Sequence, residues 1–508
     1  MSRVKNAIKN IKFSMFFYIL FLFVQFFSRK IFLDGLGDEF IGLTGTLQSF
    51  LKFLNLAELG IGAAVGYTLY KPLFDDDRKS INQLITLFGF LYQKIGFIIL
   101  GAGVVLSLFF PLIFDDLSVG LWIPYYAFYT FLAGLLLNFF FNYHLFLLEA
   151  DQKNYIITSY AQSINLIKII LQAVTVLYFK NIFLWITLEL LYHISFSFFL
   201  RKRVFKEYPW LESSTHSGKS LLKVYPELIK KVKQISIHKL GGFVTNGTDQ
   251  ILIFSFISVE MVAFYGNYQL IFSRLLQLVN TTFAGTAAGI GNLVAENDKT
   301  NIKKVFWEMM SLRFFIAGTL FMILFYLVEP FIVFWLGEKY VLKPMVLTIF
   351  LTNMFISQIR VPVDHFKDAY GLFQDIGAPI VQSIINLTSS IILLHYFELA
   401  GVLMGTLIAF SLVIMIWRPY YLYKHGFKES VWNYWIGFFR LTISFIISLF
   451  ISRYLISNYI ILQSSTLFEL MIYGIKSFFT VFLIYFPCIY LLNKGFRNVM
   501  VRLKKLFK

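Results

Sequence analysis

Leu56-Ala-Glu-Leu-Gly-Ile-Gly-Ala-Ala-Val-Gly-Tyr-Thr-Leu-Tyr70 is an apolar run studded with small residues. A second such run, Ala284-Gly-Thr-Ala-Ala-Gly-Ile-Gly291, falls on it when the chain is shifted by 221 residues so that Ala63 meets Ala284. Inside a bilayer, lipid tails are as apolar as leucine, and small side chains let helix backbones approach closely enough to pack. The same shift lays Glu39 on Glu260, Gly45 on Gly266, Gln48 on Gln269, Leu54 on Leu275, Asp77 on Asp298 and Ile81 on Ile302. Either run alone fits ordinary packing of transmembrane helices. Their matched placement in the two halves favours a duplicated bundle, the plan of many transporters.

Working outward, the 508 residues are 58% hydrophobic and 19% aromatic, with 14% charged and sixty-one Phe. That composition excludes most soluble enzymes, because no stretch is polar enough to make a water-soluble domain of ordinary size. Apolar segments of spanning length predict an all-α polytopic membrane protein with about 14 transmembrane helices, among them long ones such as 42–70, 82–113, 119–147 and 261–293 and a shorter one at 238–257. The expected division is a six-helix lobe over 1–203, a linker with an amphipathic helix over 204–237, a second six-helix lobe over 238–423, and two further helices with a basic tail over 424–508. Within the linker, the stretch from Lys219 to Ile235 alternates apolar residues and lysines at helical spacing, which reads as a surface-lying helix or as a solvated connection. The lone cysteine, Cys488, has no intrachain partner, and no Cys/His cluster has metal-ligand spacing.

Forty-five Lys and Arg stand against 28 Asp and Glu. In an apolar chain this excess is read as topology, not as nucleic-acid binding. Arg3, Lys5, Lys9 and Lys12 precede the first span, ten basic residues lie between Arg201 and Lys239, and six follow Leu492. The positive-inside rule puts all three clusters in the cytoplasm, and an even number of spans returns both termini there. The basic start and apolar run also resemble a signal peptide, but no small-residue cleavage site follows Phe32, so the first helix is expected to be retained.

Charges at membrane depth cost at least about 2.5–3.5 kcal/mol each on insertion scales, so those that occur usually face a cavity or a partner. Cations away from span ends include Lys52, Lys168, Arg274 and Arg313, and Arg360 joins them although it is nearer the cytoplasmic end of its span. Arginine grips phosphate or carboxylate oxygens with paired hydrogen bonds where lysine offers a point charge. Arg274, Arg360 and Arg313 are the preferred substrate contacts, although Arg313 lies only about two turns from Lys304. For each cation the bland reading is a structural ion pair or snorkelling. Glu58 and Asp249 are the informative acids, able to pair with an arginine or to bind a coupling ion. Asn246 and Thr248 add oxygens beside Asp249 that would suit Na+, and proton coupling is equally open. Glu189 and His193 share a helix face at i, i+4. Asp364, His365, Lys367 and Asp368 read as a gate or a solvated helix end, and Pro362 and Pro379 as hinges or static kinks.

Several stretches are similar to a known family. Asp38-Glu-Phe-Ile-Gly-Leu43, the stretch from Leu56 to Leu73, Asp249-Gln-Ile-Leu-Ile253, Arg360-Val-Pro362 with Gly371 beyond it, and Arg418-Pro-Tyr-Tyr-Leu-Tyr423 resemble polysaccharide-repeat-unit flippases of the Wzx type. These belong to the multidrug/oligosaccharidyl-lipid/polysaccharide exporter superfamily, and the order of the stretches carries the resemblance along the whole chain. It implies a V-shaped pair of lobes working by alternating access in a bacterial cytoplasmic membrane. The implied substrate is an undecaprenyl-diphosphate-linked oligosaccharide, with a polysaccharide polymerase or glycosyltransferase as partner, no cofactor, and Na+ or H+ as the coupling ion. A lipid II flippase and a multidrug exporter are the alternatives of the same fold. The excess of bases over acids at depth suits an anionic head group better than a cationic drug. A membrane glycosyltransferase or polymerase would need an extramembrane catalytic loop, and the loops here are short.

Overall fold

A hydrocarbon environment leaves the backbone no water to bond, so a lipid-embedded chain must satisfy its peptide groups locally, as helix. The computed structural model describes residues 2–58, 61–115, 117–212, 217–226, 247–283, 286–372, 374–375, 377–462 and 466–506, and these form helices and their connecting turns with no strand among them. Two compact units, 1–266 and 267–508, divide the chain.

The first unit runs α1 (Ser2–Leu36), α2 (Asp38–Leu54), α3 (Ile61–Phe74), α4 (Arg78–Ser107), α5 (Phe110–Ile113), α6 (Trp122–Phe140), α7 (Leu145–Ala150), α8 (Asn154–Phe179), α9 (Ile182–Glu207), α10 (Gly218–Val224) and α11 (Asp249–Phe256). Then α12 (Val259–Thr282) leads into the second unit, which continues with α13 (Thr286–Ala295), α14 (Lys299–Trp335), α15 (Pro344–Ile359), α16 (Val361–Ala369), α17 (Gly377–Phe397) and α18 (Leu399–Ala409). After α18 the chain widens into π-helix at Phe410–Trp417 and again at Leu422–Phe427, on either side of α19 (Arg418–Tyr421). It ends with α20 (Trp432–Tyr459), α21 (Leu467–Leu492) and α22 (Lys494–Leu506).

Among the described residues eleven helical segments are long and apolar enough to cross a membrane, which makes this a multi-pass membrane protein. The three expected spans outside that set are 42–70, 238–257 and 261–293. The first is broken at a 3-10 turn, Asn55–Glu58, across which the Asn55 side-chain amide donates to the Glu58 carboxylate at 3.1 Å. The third is broken between α12 and α13, and part of the second lies outside the described residues. The segment 82–113 is likewise interrupted before Pro111, which sits in the first turn of α5. Residues 227–235 of the amphipathic stretch, Gly60, and Ala284 and Gly285 also lie outside the described residues; of the expected linker, 204–212 and 217–226 are described, with α10 in the second piece.

The duplication is written in the turns. Of the residues with positive φ, Asp76, Gly120, Gln152 and Lys180 in the first unit match Asn297, Gly337, Gly371 and Glu398 in the second in order, at offsets of 221, 217, 219 and 218 residues, while Gly37 and Lys428 have no counterpart. Asp77 and Asp298 cap the following helices alike, each carboxylate accepting from first-turn amides. Ile81 and Ile302, one turn on, are both buried.

Packing within each unit relies on ring edges and glycine. In the first, Phe32 and Phe40 meet the Trp185 indole edge-on at 5.6 and 5.5 Å. In the second, the Tyr485 hydroxyl donates to the Phe314 carbonyl at 2.9 Å, and a Cβ on Gly318 would lie 2.7 Å from the Tyr485 ring. Phe478, Phe482, Phe486 and Tyr490 form a stacked ladder along α21, with successive ring centroids 6.0, 5.3 and 6.2 Å apart. The α17–α18 hairpin closes to backbone contact at Gly401 and Gly405, where an added Cβ would lie 2.2 Å from the Leu393 carbonyl and 2.1 Å from Ser390 Oγ. Gly405→Leu is therefore expected to destabilise the purified protein by about 1–3 kcal/mol or more through overpacking. Gly101→Ala, which meets nothing within 4 Å, should not lower the temperature of unfolding in detergent, since alanine favours helix over glycine.

Candidate functional site

Four of the cations singled out from the sequence gather at two places, Lys52 and Lys168 in the first unit and Arg313 and Arg360 in the second. In the first unit, Lys168 near the middle of α8 places Nζ 2.8 Å from Glu189 Oε1 on α9, and the Gln172 amide donates to the same oxygen at 2.9 Å. The Lys168 ammonium also stands 5.2 Å from the Tyr192 ring. Glu189 and His193 line a cavity of about 260 Å³ together with Gln48, Lys52, Asn55 and Asn138. His193 packs on Gly134, whose absent Cβ would lie 2.4 Å from the imidazole. Lys168, Glu189, His193 and Lys52 thus belong to one neighbourhood. Its carboxylate is claimed by Lys168, while Lys52 makes no ion pair among the described residues.

In the second unit, α14 buries Arg313 to 3% exposure, and its Nη1 donates to Gln358 Oε1 on α15 at 2.9 Å. The guanidinium lies 4.6 Å from the Phe283 ring centroid. A neutral amide and an aromatic face hold this arginine, so among the described residues its charge is not cancelled by a carboxylate. Just beyond Gln358 the chain bends at Arg360, and Pro362 sits in the first turn of α16, where a missing N–H costs nothing. Arg360 Nε lies 3.6 Å from Asp364 Oδ2, and the Arg418 guanidinium, between the two π segments, donates to Asp364 Oδ1 at 2.5 Å and to Gln382 at 3.4 Å. Two guanidinium groups therefore share one carboxylate. Next to them Lys367 pairs with Asp375 at 2.5 Å.

The remaining residues singled out from the sequence are placed as follows. Arg274 lies on α12 and donates to Gln277 Oε1 at 3.0 Å. Glu58 accepts from the Tyr92 hydroxyl at 2.6 Å as well as from Asn55. Asp249 is buried at the start of α11; its Oδ2 accepts from Tyr265 at 3.3 Å, and its Oδ1 has no hydrogen-bond partner among the described residues. Thr248 precedes it at the helix start, and Asn246 lies outside the described residues.

Where α7 gives way to α8, outside the spans, Lys153 bridges Asp151 at 2.7 Å and Glu207 at 2.9 Å, and Tyr208 donates to Asp151 at 2.8 Å. Burial works against the Lys153 charge, but the hydrogen bonds and charges of the two carboxylates outweigh it and hold its pKa above the ordinary lysine value. Burial, then the Asp151 charge, push the Tyr208 phenol up. The cluster ties the α7–α8 turn to the end of α9.

Arg418, Asp364 and Gln382 form the part of this arrangement that sequence reading did not assemble. The Arg360–Asp364 spacing of four was a legible signal for a helix-face pair. The approach of Arg418 depends on how the π segments turn its helix. For the first-unit cluster, Lys168 and Glu189 are only 13% and 16% exposed. Lys168→Met should strand the carboxylate and cost about 3 kcal/mol, and Lys168→Met with Glu189→Gln should recover most of it. A double-mutant cycle on unfolding in detergent measures the coupling.

No protein-family profile matches the chain, and no curated protein matches it by sequence. Solved structures do match by shape. The lipid II flippase MurJ, in its inward closed conformation, aligns with a TM-score of 0.66 at 16% identity over 96% of this chain and 99% of that one. An inward-facing multidrug resistance MATE family transporter of the MOP superfamily aligns with a TM-score of 0.56 at 14% identity, over 78% of this chain and 93% of that one. A mutant of the Vibrio cholerae MATE transporter VcmN gives 0.54 at 12% identity, over 84% and 98%. The chain has the fold these transporters share.

Proposed function

We propose that the chain is a flippase that moves undecaprenyl-diphosphate-linked oligosaccharides from the inner to the outer leaflet of a bacterial cytoplasmic membrane, by alternating access, for surface polysaccharide synthesis. The observation that carries this reading is Arg313: a guanidinium at membrane depth, 3% exposed, held by Gln358 and Phe283 without a carboxylate among the described residues. An uncompensated buried cation is expensive unless an anion visits it, and a lipid diphosphate is such an anion. Arg360 and Arg418, with one carboxylate between them, add donors on the same unit. A transporter with no catalytic step needs nothing more of these residues than binding and release.

A second reading takes lipid II as the diphosphate lipid, the substrate named for the flippase whose fold aligns over 96% of this chain. Both substrates present the same diphosphate, so the arginines serve either. Coupling to Na+ or H+ through Asp249, whose Oδ1 is buried without a described partner, belongs to the same proposal, as does contact with a polymerase or glycosyltransferase.

Reconstituted in proteoliposomes, the protein should change the leaflet of a fluorescent undecaprenyl-diphosphate oligosaccharide and leave a cationic drug where it is. Drug uptake without glycolipid movement would overturn the reading, and competition by lipid II separates the two substrates. Arg313→Gln, Arg274→Ala and Arg360→Ala should each slow flipping about tenfold or more, the worth of a lost charge-assisted hydrogen bond, at matched expression. Asp249→Asn should make flipping indifferent to an imposed Na+ or pH gradient; a wild-type gradient response removes Asp249 from coupling.

A further inference from the structure

A second basic site lies in the second unit, away from Arg313. A cavity of about 730 Å³ opens among α14, the Leu422–Phe427 segment, α20 and the α21–α22 junction. Trp307 is central to its wall. A Cβ on Gly437 of α20 would lie 2.1 Å from the Trp307 indole, and one on Gly495 of α22 would lie 2.4 Å from the Trp307 carbonyl. The two glycines let α20 and α22 close on α14 here. The Asn493 amide fixes the α21–α22 corner by donating to Ser444 Oγ at 2.7 Å.

Four cations line this cavity, Lys303, Lys304, Arg440 and Lys494, against one carboxylate, Glu429. Lys303 pairs with Glu429. Lys304, Arg440 and Lys494 have no ion pair among the described residues, and Asn433, Asn498 and Thr300 supply neutral polar groups around them. Beside the cavity the helices turn apolar and outward: Ile436, Phe439 and Ile443 on α20 are 52%, 54% and 51% exposed, and Leu491 and Leu492 on α21 are 70% and 46%. A polar basic recess running into an exposed apolar face at the ends of spans matches the two halves of a phospholipid.

We propose that this cavity binds the phosphodiester headgroup of an anionic phospholipid, with its acyl chains on the α20 and α21 face. The volume lies within the range of small-molecule sites and exceeds what a free phosphate fills. Lys304, Arg440 and Lys494 select negative headgroups over zwitterionic ones. The site is independent of the transport reading, since it concerns resident lipid, and binding is read without any flipping.

The test is native mass spectrometry of the full chain after reconstitution with equimolar phosphatidylglycerol and phosphatidylcholine. Wild type should keep phosphatidylglycerol and shed phosphatidylcholine. Lys304→Gln with Arg440→Gln should weaken that retention about tenfold or more. Lys504→Gln with Lys505→Gln, on the exposed face of α22, removes the same charge and should leave it unchanged. Equal loss from both pairs, or equal retention of the two lipids, would overturn the proposal. So would displacement of phosphatidylglycerol by low-millimolar inorganic phosphate, which marks a soluble-anion site. Should the Lys304/Arg440 variant misfold, photoactivatable phosphatidylglycerol on wild type decides: crosslinks at Trp307, Asn433 or Asn498 support the site, and crosslinks confined to other segments sink it.

Discussion

The cost of charge in hydrocarbon governs this structure. A bilayer accepts peptide groups only as helix and accepts ionised side chains only with a partner or a polar recess, so each buried cation states what its surroundings supply. Lys168 has Glu189, Lys367 has Asp375, and Arg360 shares Asp364 with Arg418. Of these pairs, Lys168–Glu189 and Arg418–Asp364 tie separate helices together. Arg313 differs because glutamine satisfies hydrogen bonds without cancelling charge. Pairing gives rigidity; the amide partner leaves electrostatic attraction for something else.

The breaks in the helices lie near these charges. Asn55–Glu58 interrupts the second expected span and contributes Asn55 to the recess that Lys52 and Glu189 line. The π segments flank Arg418, and π turns recur at functional sites because the wider turn re-aims side chains. Regular helix builds the scaffold, and departures from it set the direction of the polar groups.

The membrane class and the all-helical architecture were legible because hydropathy is a local property, and the small-residue runs pointed to a repeat. An ungapped shift of 221 residues finds its run of identities between 39 and 81. The matched turns show why: offsets of 221, 217, 219 and 218 mean that the halves lost register at their connections. The repeat survives as backbone dihedrals, which a side-chain comparison at one fixed shift does not see. At the candidate site, Arg313, Arg360 and Lys168 stood out as charges in apolar runs. Their partners were harder to find. Gln358 and Gln382 carry no charge to draw attention, and Arg418 reaches Asp364 across 54 residues of sequence.

The stacked rings of Phe478, Phe482, Phe486 and Tyr490 bear on how such a bundle holds together at all. Without a hydrophobic drive between helices in lipid, association depends on dispersion contact set against the side-chain freedom lost in making it. An aromatic ring delivers a large flat contact for only two torsions, and a neighbour four residues away already restrains them before any second helix arrives. A chain with sixty-one phenylalanines therefore carries much of its ordering entropy as a cost already met within single helices, leaving less to be lost when they assemble.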